Sequence, residues 1–149
     1  MASPKFGAVI DALVTLARTT SAQAVYDGPA VTSDVPSDFI VIGGTEDPDD
    51  EPSSFDQSWN GLGARTKNES GEITCAVLVG SGDEGVKVSR DRALVLLAQI
   101  EAAVRADPSL GGVLVGGWAH VSGGRHVQRL NTQGLYVRVT FTVAYQTKN

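Results

Sequence analysis

Residues 80–85 read Gly-Ser-Gly-Asp-Glu-Gly, a literal G-x-G-x-x-G between an apolar alternating run and a helix-like run. In a dinucleotide fold such a loop aims backbone N–H groups and a helix N-terminus at a pyrophosphate. Four features of this sequence oppose that chemistry. Asp83 and Glu84 sit inside the loop, where a carboxylate would repel a phosphate by about 4 kcal/mol at ~4 Å and reduced dielectric. The best N-cap for the following helix is Ser89, past the last glycine, so the helix is expected to begin too late. The next strand-like run ends in His120-Val121-Ser122, with no acid for a ribose. The fold also needs several parallel strands with crossover helices, and the chain offers one such unit. The loop reads as a polar connection from a strand to a helix.

The other reactive side chains form no stronger set. Glu46, Asp47, Asp49, Asp50 and Glu51 lie within "TEDPDDEPSSFDQ", residues 45–57. Such a cluster raises calcium, but the turn glycine and closing Glu of an EF-hand are missing. It reads as a long, solvated acidic loop. His120 and His126 are not at helical metal-ligand spacing, and no Cys or Glu completes a site. Cys75, the only cysteine, lies in an apolar alternating segment and reads as a small buried hydrophobe. No serine sits in a nucleophile elbow. Trp59 and Trp118 read as core or interface anchors. The expectation is no catalytic residue, no cofactor and no metal, and so no enzyme.

The chain has 149 residues, which fits a single domain over residues 1–149. Its 42% hydrophobic and 19% charged residues suit a globular protein. A net charge of −5, with lysines and arginines scattered, argues against a dedicated nucleic-acid binder. One cysteine permits no internal disulfide. No signal leader is visible, and no stretch nears the ~20 apolar residues of a membrane span. These features predict a protein kept in a reducing cytoplasm.

The elements follow from periodicity. Ser3-Pro4 is expected to cap a first helix carrying Phe6, Val9, Ile10, Leu13, Leu16 and Ala17 on one face. Ala24–Tyr26 and Phe39–Ile42 read as strands, the second buried. Ser58–Thr66 reads as an irregular strand and Ile73–Val79 as a half-buried one. A second helix is expected from Ser89 to Ala106 and is stopped by Asp107-Pro108. A strand over Val113–Val121, a Gly123-Gly124 turn and a return segment His126–Leu130 follow. Leu135, Val137, Val139, Phe141, Val143 and Tyr145 then alternate in the clearest strand. Two helices among strands joined by glycine turns predict an α+β fold: an antiparallel or mixed sheet with the two helices packed on one face.

"VSRDRALVLLAQIEAAVRADPSLGGVLVGGWAHV" resembles the tail terminator proteins of long-tailed bacteriophages, particularly those of actinobacterial hosts. The shared features are Ser81-Gly82-Asp83, Arg90 to Ala93, the Asp107–Gly112 turn and the β-segment from Val113. "VYDGPAVTSDVPSDFIVIGG" is similar to that family's early segment. The likeness covers about residues 25–145. It implies a small α/β subunit that forms a ring, typically of six copies, on the head-proximal end of the tail tube. Such a ring stops tube growth, joins the head-completion or neck proteins, and lets DNA pass through its lumen. It belongs to the virion and is assembled in the host cytoplasm. The alternatives are another phage neck or tail component, such as a head-completion protein or tail tube subunit, and a non-phage small-ligand or nucleotide-binding module using Gly80–Gly85.

Under the ring reading, contact residues are expected in the long loops, 45–57 and 61–71. Glu46, Asp47, Asp49, Asp50 and Glu51 would face basic residues of a neighbour such as Arg65, Lys67, Arg125 or Arg129. Trp59 would be an anchor, and Arg125 and Arg129 are candidates for the lumen.

Overall fold

The computed structural model describes residues 4–28, 36–45, 52–59, 61, 66–82, 85–131 and 134–148. The elements run α1 (Phe6–Ala17), β1 (Val25–Asp27), β2 (Asp38–Ile42), β3 (Ser54–Trp59), β4 (Lys67–Gly82), α2 (Val86–Ala106), β5 (Trp118–Asn131) and β6 (Gly134–Lys148). The sheet has the order β1-β2-β4-β6-β5, with β3 also on β4. β1 pairs parallel with β2, and the other pairs are antiparallel. The fold is α+β with a mixed sheet and two helices.

Both helices pack on one face, because each carries one apolar stripe. Val9, Leu13, Val14 and Ala17 of α1 and Ala93, Leu96, Ile100 and Val104 of α2 are buried. They meet Ile40, Ile42, Ile73, Cys75, Val77 and Val79, and the alternate β6 residues Val137 to Tyr145. Each large aliphatic side chain buried there contributes roughly 1.5–3 kcal/mol. The opposite face has a smaller cluster of Phe39, Val41, Ala76 and Leu78, with Tyr26 edge-on to Phe39 at 5.5 Å. β2 is therefore covered on both sides, as its unbroken apolar run predicts.

β4 is the long member. Its C-terminal half pairs with β2 and its N-terminal half with β3, both on one edge, while β6 runs along the other edge from Asn68 to Gly82. Strand reading from Ile73 misses the first third of β4, because Lys67–Glu72 is polar. The acidic segment likewise conceals β3, which begins at Ser54 rather than Ser58. Lys67–Gly71, expected in a contact loop, is strand instead.

The order observed is α-β-β-β-β-α-β-β. The predicted strand at Val113 and return segment at His126 are one strand, β5. Asp107 holds the preceding turn: its carboxylate accepts the Gly111 N–H at 2.8 Å and the Ser109 hydroxyl at 2.7 Å. Leu110 and Leu114 are buried, and Ala119 N–H donates to Pro108 O. Sheet entry therefore waits until Trp118. Gly123-Gly124 is not a hairpin turn but an irregularity within β5. The register shifts between Val121 and Gly124, and Gly123 has φ +110°. A Cβ on Gly124 would lie 2.4 Å from Thr140 O.

Both helix starts differ from the predicted caps. α1 begins at Phe6, after Pro4, with Lys5 at the N-cap position, and Ser3 lies outside the described residues. α2 begins at Val86 directly after Gly85, and Ser89 is buried within the helix. Gly85 can occupy the N-cap at φ +89°, a conformation disfavoured for Ser89 or any other L side chain.

Candidate functional site

The glycine loop divides between two elements. Gly80, Ser81 and Gly82 belong to β4, where Gly80 pairs with Tyr136 and Gly82 with Leu135. Gly80 N–H is committed to Ser37 O at 2.7 Å. Asp83 and Glu84 lie outside the described residues. The early start of α2 removes one objection to a phosphate cradle. The topology supplies another: β4 and β5, joined through α2, run parallel but are separated by β6. A dinucleotide fold places such strands side by side.

Two of the expected contact residues come together. Trp59 and Lys67 are cross-strand partners on β3 and β4, with the Lys67 ammonium 4.7 Å from the indole centroid. Such a cation–π contact at an exposed site contributes about 0.5–1 kcal/mol. Trp59 itself is 58% exposed. Nearby, Phe55 tilts against Phe6 of α1 at 5.1 Å and is half exposed. Arg125 lies on β5, on the other side of the sheet, opposite Thr140. Arg129 sits opposite Tyr136 in register, and its side chain lies outside the described residues, as do Glu46, Asp47, Asp49, Asp50, Glu51 and Arg65.

Sequence reading misses a buried polar cluster behind β3. Glu69 is 1% exposed. Its carboxylate accepts the Tyr145 hydroxyl at 2.7 Å, the Lys5 backbone N–H at 2.9 Å and the Gln57 amide at 2.9 Å. A carboxylate distant in sequence thus takes the place of a local cap on α1 and ties that helix to β3, β4 and β6. Burial raises the Tyr145 pKa far above that of a free phenol, and its bond to Glu69 raises it further. The available signal was a lone Glu at an inward-facing strand position, opposite Thr147 and two residues from Gly71. Gly71 is required there: a Cβ would lie 2.5 Å from the Tyr145 ring.

A second network ties β2 to α2. Asp38 accepts the Gln23 N–H at 2.8 Å and Arg92 Nε at 3.2 Å, while Arg92 also donates to Ser21 O. Cys75 is fully buried, and burial pushes its thiol up to about 12, a backbone bond from Gly43 opposing. At neutral pH it stays a protonated, inert thiol. Among the described residues no three His, Cys, Asp or Glu side chains gather as a metal site. No helix among them is long and apolar enough to cross a membrane.

The exposed end of the sheet is built from β3, β4, β6 and β5, and among the described residues β3 and β5 are its two open edges. Five of the six β3 residues are exposed. A shallow groove of about 490 Å³ crosses the helix-free face at this end, reaching from Asp56 and Glu72 to Trp118 and His120. These features define an α+β fold with two open strand edges and a shallow groove at one sheet end among the described residues. No protein-family model matches the chain, and no curated protein matches it.

Proposed function

We propose that the chain is a ring-forming structural protein of a phage virion, a tail terminator that caps the head-proximal end of the tail tube. The observation that carries this reading is the pair of open edges, β3 and β5, on opposite sides of one sheet end. Unpaired strand edges are templates for another chain. Edges on opposite sides suit head-to-tail association, which closes a ring when the rotation per subunit allows. The exposed Trp59 and Phe55 on β3 supply anchors of the type enriched in interfaces. The partners are further copies, the tube protein and the neck proteins, with DNA only in passage. A net charge of −5 suits a lumen that does not grip phosphate. The acidic run Glu46–Glu51 would meet basic residues of a neighbour, and no enzymatic step is required.

The test is assembly. Purified chain, concentrated alone and mixed with its tube protein, is imaged by electron microscopy. Closed rings capping tubes support the reading. Monomers that never cap a tube, or unlimited polymerisation by the chain itself, refute it. Deleting residues 46–51 should weaken ring or tube contacts and leave the monomer folded.

The start of α2 directly after Gly85 favours a second reading, a nucleotide bound at the loop. NAD, ATP and FAD titrations decide it. At a hundredfold excess over Kd a ligand stabilises by about 2.7 kcal/mol, and Gly82→Val should abolish that gain.

A further inference from the structure

We infer that the groove on the helix-free face is a docking site for an arginine-bearing extended segment of a partner protein. Two rows of side chains cross the four strands β3, β4, β6 and β5 in register. One row is Ser54, Glu72, Ala144 and His120; the next is Asp56, Ser70, Gln146 and Trp118. The carboxylates thus stand on one side and the two rings on the other, over a floor of smaller residues. Glu72 and His120 are two strand spacings apart, about 10 Å. At about 490 Å³ the groove has room for a side chain and a short stretch of backbone.

Its chemistry selects a guanidinium. Among the described residues the lining contains Asp56 and Glu72 but no lysine or arginine. Neither carboxylate makes an ion pair or side-chain hydrogen bond among the described residues. Trp118 is 43% exposed, with His120 tilted against it at 4.9 Å. A guanidinium can bind a carboxylate through its planar fork while stacking on an indole, a combination an ammonium cannot match. An extended segment fits because alternate side chains of a strand reach one face.

A second copy is a poorer donor. Arg92 and Arg105 are engaged by Asp38 and Glu101 on their own chain. Of the strand arginines, Arg138 is buried, Arg125 already has an interaction of its own, and the Arg129 side chain lies outside the described residues. The exposed Arg18 and Arg90 lie at the end of α1 and within α2, not on an extended segment, so we assign the donor to a different protein.

Trp59→Phe leaves Trp118 as the single tryptophan, so its emission reports on the groove. The probes are the blocked peptide Ac-Thr-Arg-Thr-Arg-Thr-NH2 and its lysine and glutamate counterparts. The arginine peptide should give a saturable change, the lysine peptide should bind several-fold more weakly, and the glutamate peptide should do nothing. In an Asp56→Asn/Glu72→Gln background the affinity should fall at least tenfold. Both positions are exposed, and circular dichroism verifies that the fold is kept. No response at millimolar arginine peptide, an equal response to the glutamate peptide, or unchanged affinity in the double variant overturns the inference. A concentration-dependent emission change that the double variant abolishes overturns the assignment to a different protein. Ring assembly is read separately by microscopy, so either idea can fail without the other.

Discussion

Replacing Glu69 should damage the fold more than any exposed charge, and in a pattern that geometry predicts. Its carboxylate serves three donors in a site 1% exposed. Glu69→Ala leaves the buried Tyr145 hydroxyl without this acceptor, at about 1–3 kcal/mol. It also takes the acceptor from the start of α1, at about 0.5–2 kcal/mol, the range for a lost N-cap. With lost packing, the total is about 3–5 kcal/mol, a large share of a typical 5–15 kcal/mol stability. Glu69→Gln should cost about 1–3 kcal/mol. One amide oxygen can serve Tyr145 or the Lys5 and Gln57 pair but not both: its NH2 then meets the Lys5 N–H, or donates to a Tyr145 hydroxyl that has lost its carboxylate acceptor. Tyr145→Phe removes a donor and relieves Glu69→Leu of part of its cost. The double variant should therefore be more stable than the sum of the singles predicts, by at least about 1 kcal/mol. Urea unfolding followed by circular dichroism, with constant m-values, supplies the four corners of the cycle. Additivity within about 0.5 kcal/mol, or an Ala cost below about 1 kcal/mol, would refute the idea that this cluster clamps α1 to the sheet.

Other outcomes follow from single contacts. A Cβ on Gly117 would lie 1.8 Å from Gln146 O, so Gly117→Ala should cost roughly 3 kcal/mol and lower the melting temperature sharply. Gly7 in α1 is exposed with nothing within 4 Å, so Gly7→Ala should instead stabilise by up to about 1 kcal/mol. Cys75 titrates near 9.0 when unfolded and at about 12 when folded, so the unfolded chain ionises first. Stability is then fully present below pH 9 and is lost as pH rises toward 12, at about 1.4 kcal/mol per pH unit. The Tyr145 phenol adds the same sign of loss above its ordinary pKa of 10.0. Cys75→Ala should flatten the fall between pH 9 and 10, measured by urea midpoints, and native Cys75 should resist alkylation until the protein unfolds. Arg92→Leu leaves the nearly buried Asp38 without its cation, at about 1–2 kcal/mol once the partial exposure of Arg92 is allowed for.

What the sequence makes legible is what periodicity can carry. Leu96, Ile100 and Val104 declare the inner face of α2, and Val137 to Tyr145 that of β6. The fold class follows from those stripes. Polar strands are illegible for the same reason. Ser54–Trp59 and Lys67–Glu72 have no apolar alternation, because at that end neither sheet face is fully covered. Glycines mislead where one residue type serves several needs. Gly124 in β5 is required by the close approach of the β6 backbone at Thr140, although two adjacent glycines read as a turn. Gly85 caps a helix that Ser89 seemed to own, and Glu69 shows its role only when Lys5, Gln57 and Tyr145 have been brought to it. Of the expected contact residues, only Trp59 and Lys67 could be joined by local reasoning, since a strand pair had to be found first.

The contrast between the two ends of β4 bears on function. From Cys75 to Val79 the strand is flanked by β2 and β6 and buried on both faces, and every residue there is spent on the core. From Lys67 to Glu72 it has the same number of partner strands, yet most of its side chains reach solvent. Hydrogen bonding alone would not maintain such an extension. A four-stranded polar sheet end gains little burial, and each ordered residue costs about 1–2 kcal/mol of backbone entropy. The Glu69 hydrogen bonds and the Phe6–Phe55 contact tie it to α1. Under the proposed function, a sheet end tied down in this way, with aromatic residues left on it, would reduce the ordering cost of binding a partner. On that proposal, Glu69→Gln, at a cost of about 1–3 kcal/mol, should lower partner affinity at temperatures where the monomer is still folded.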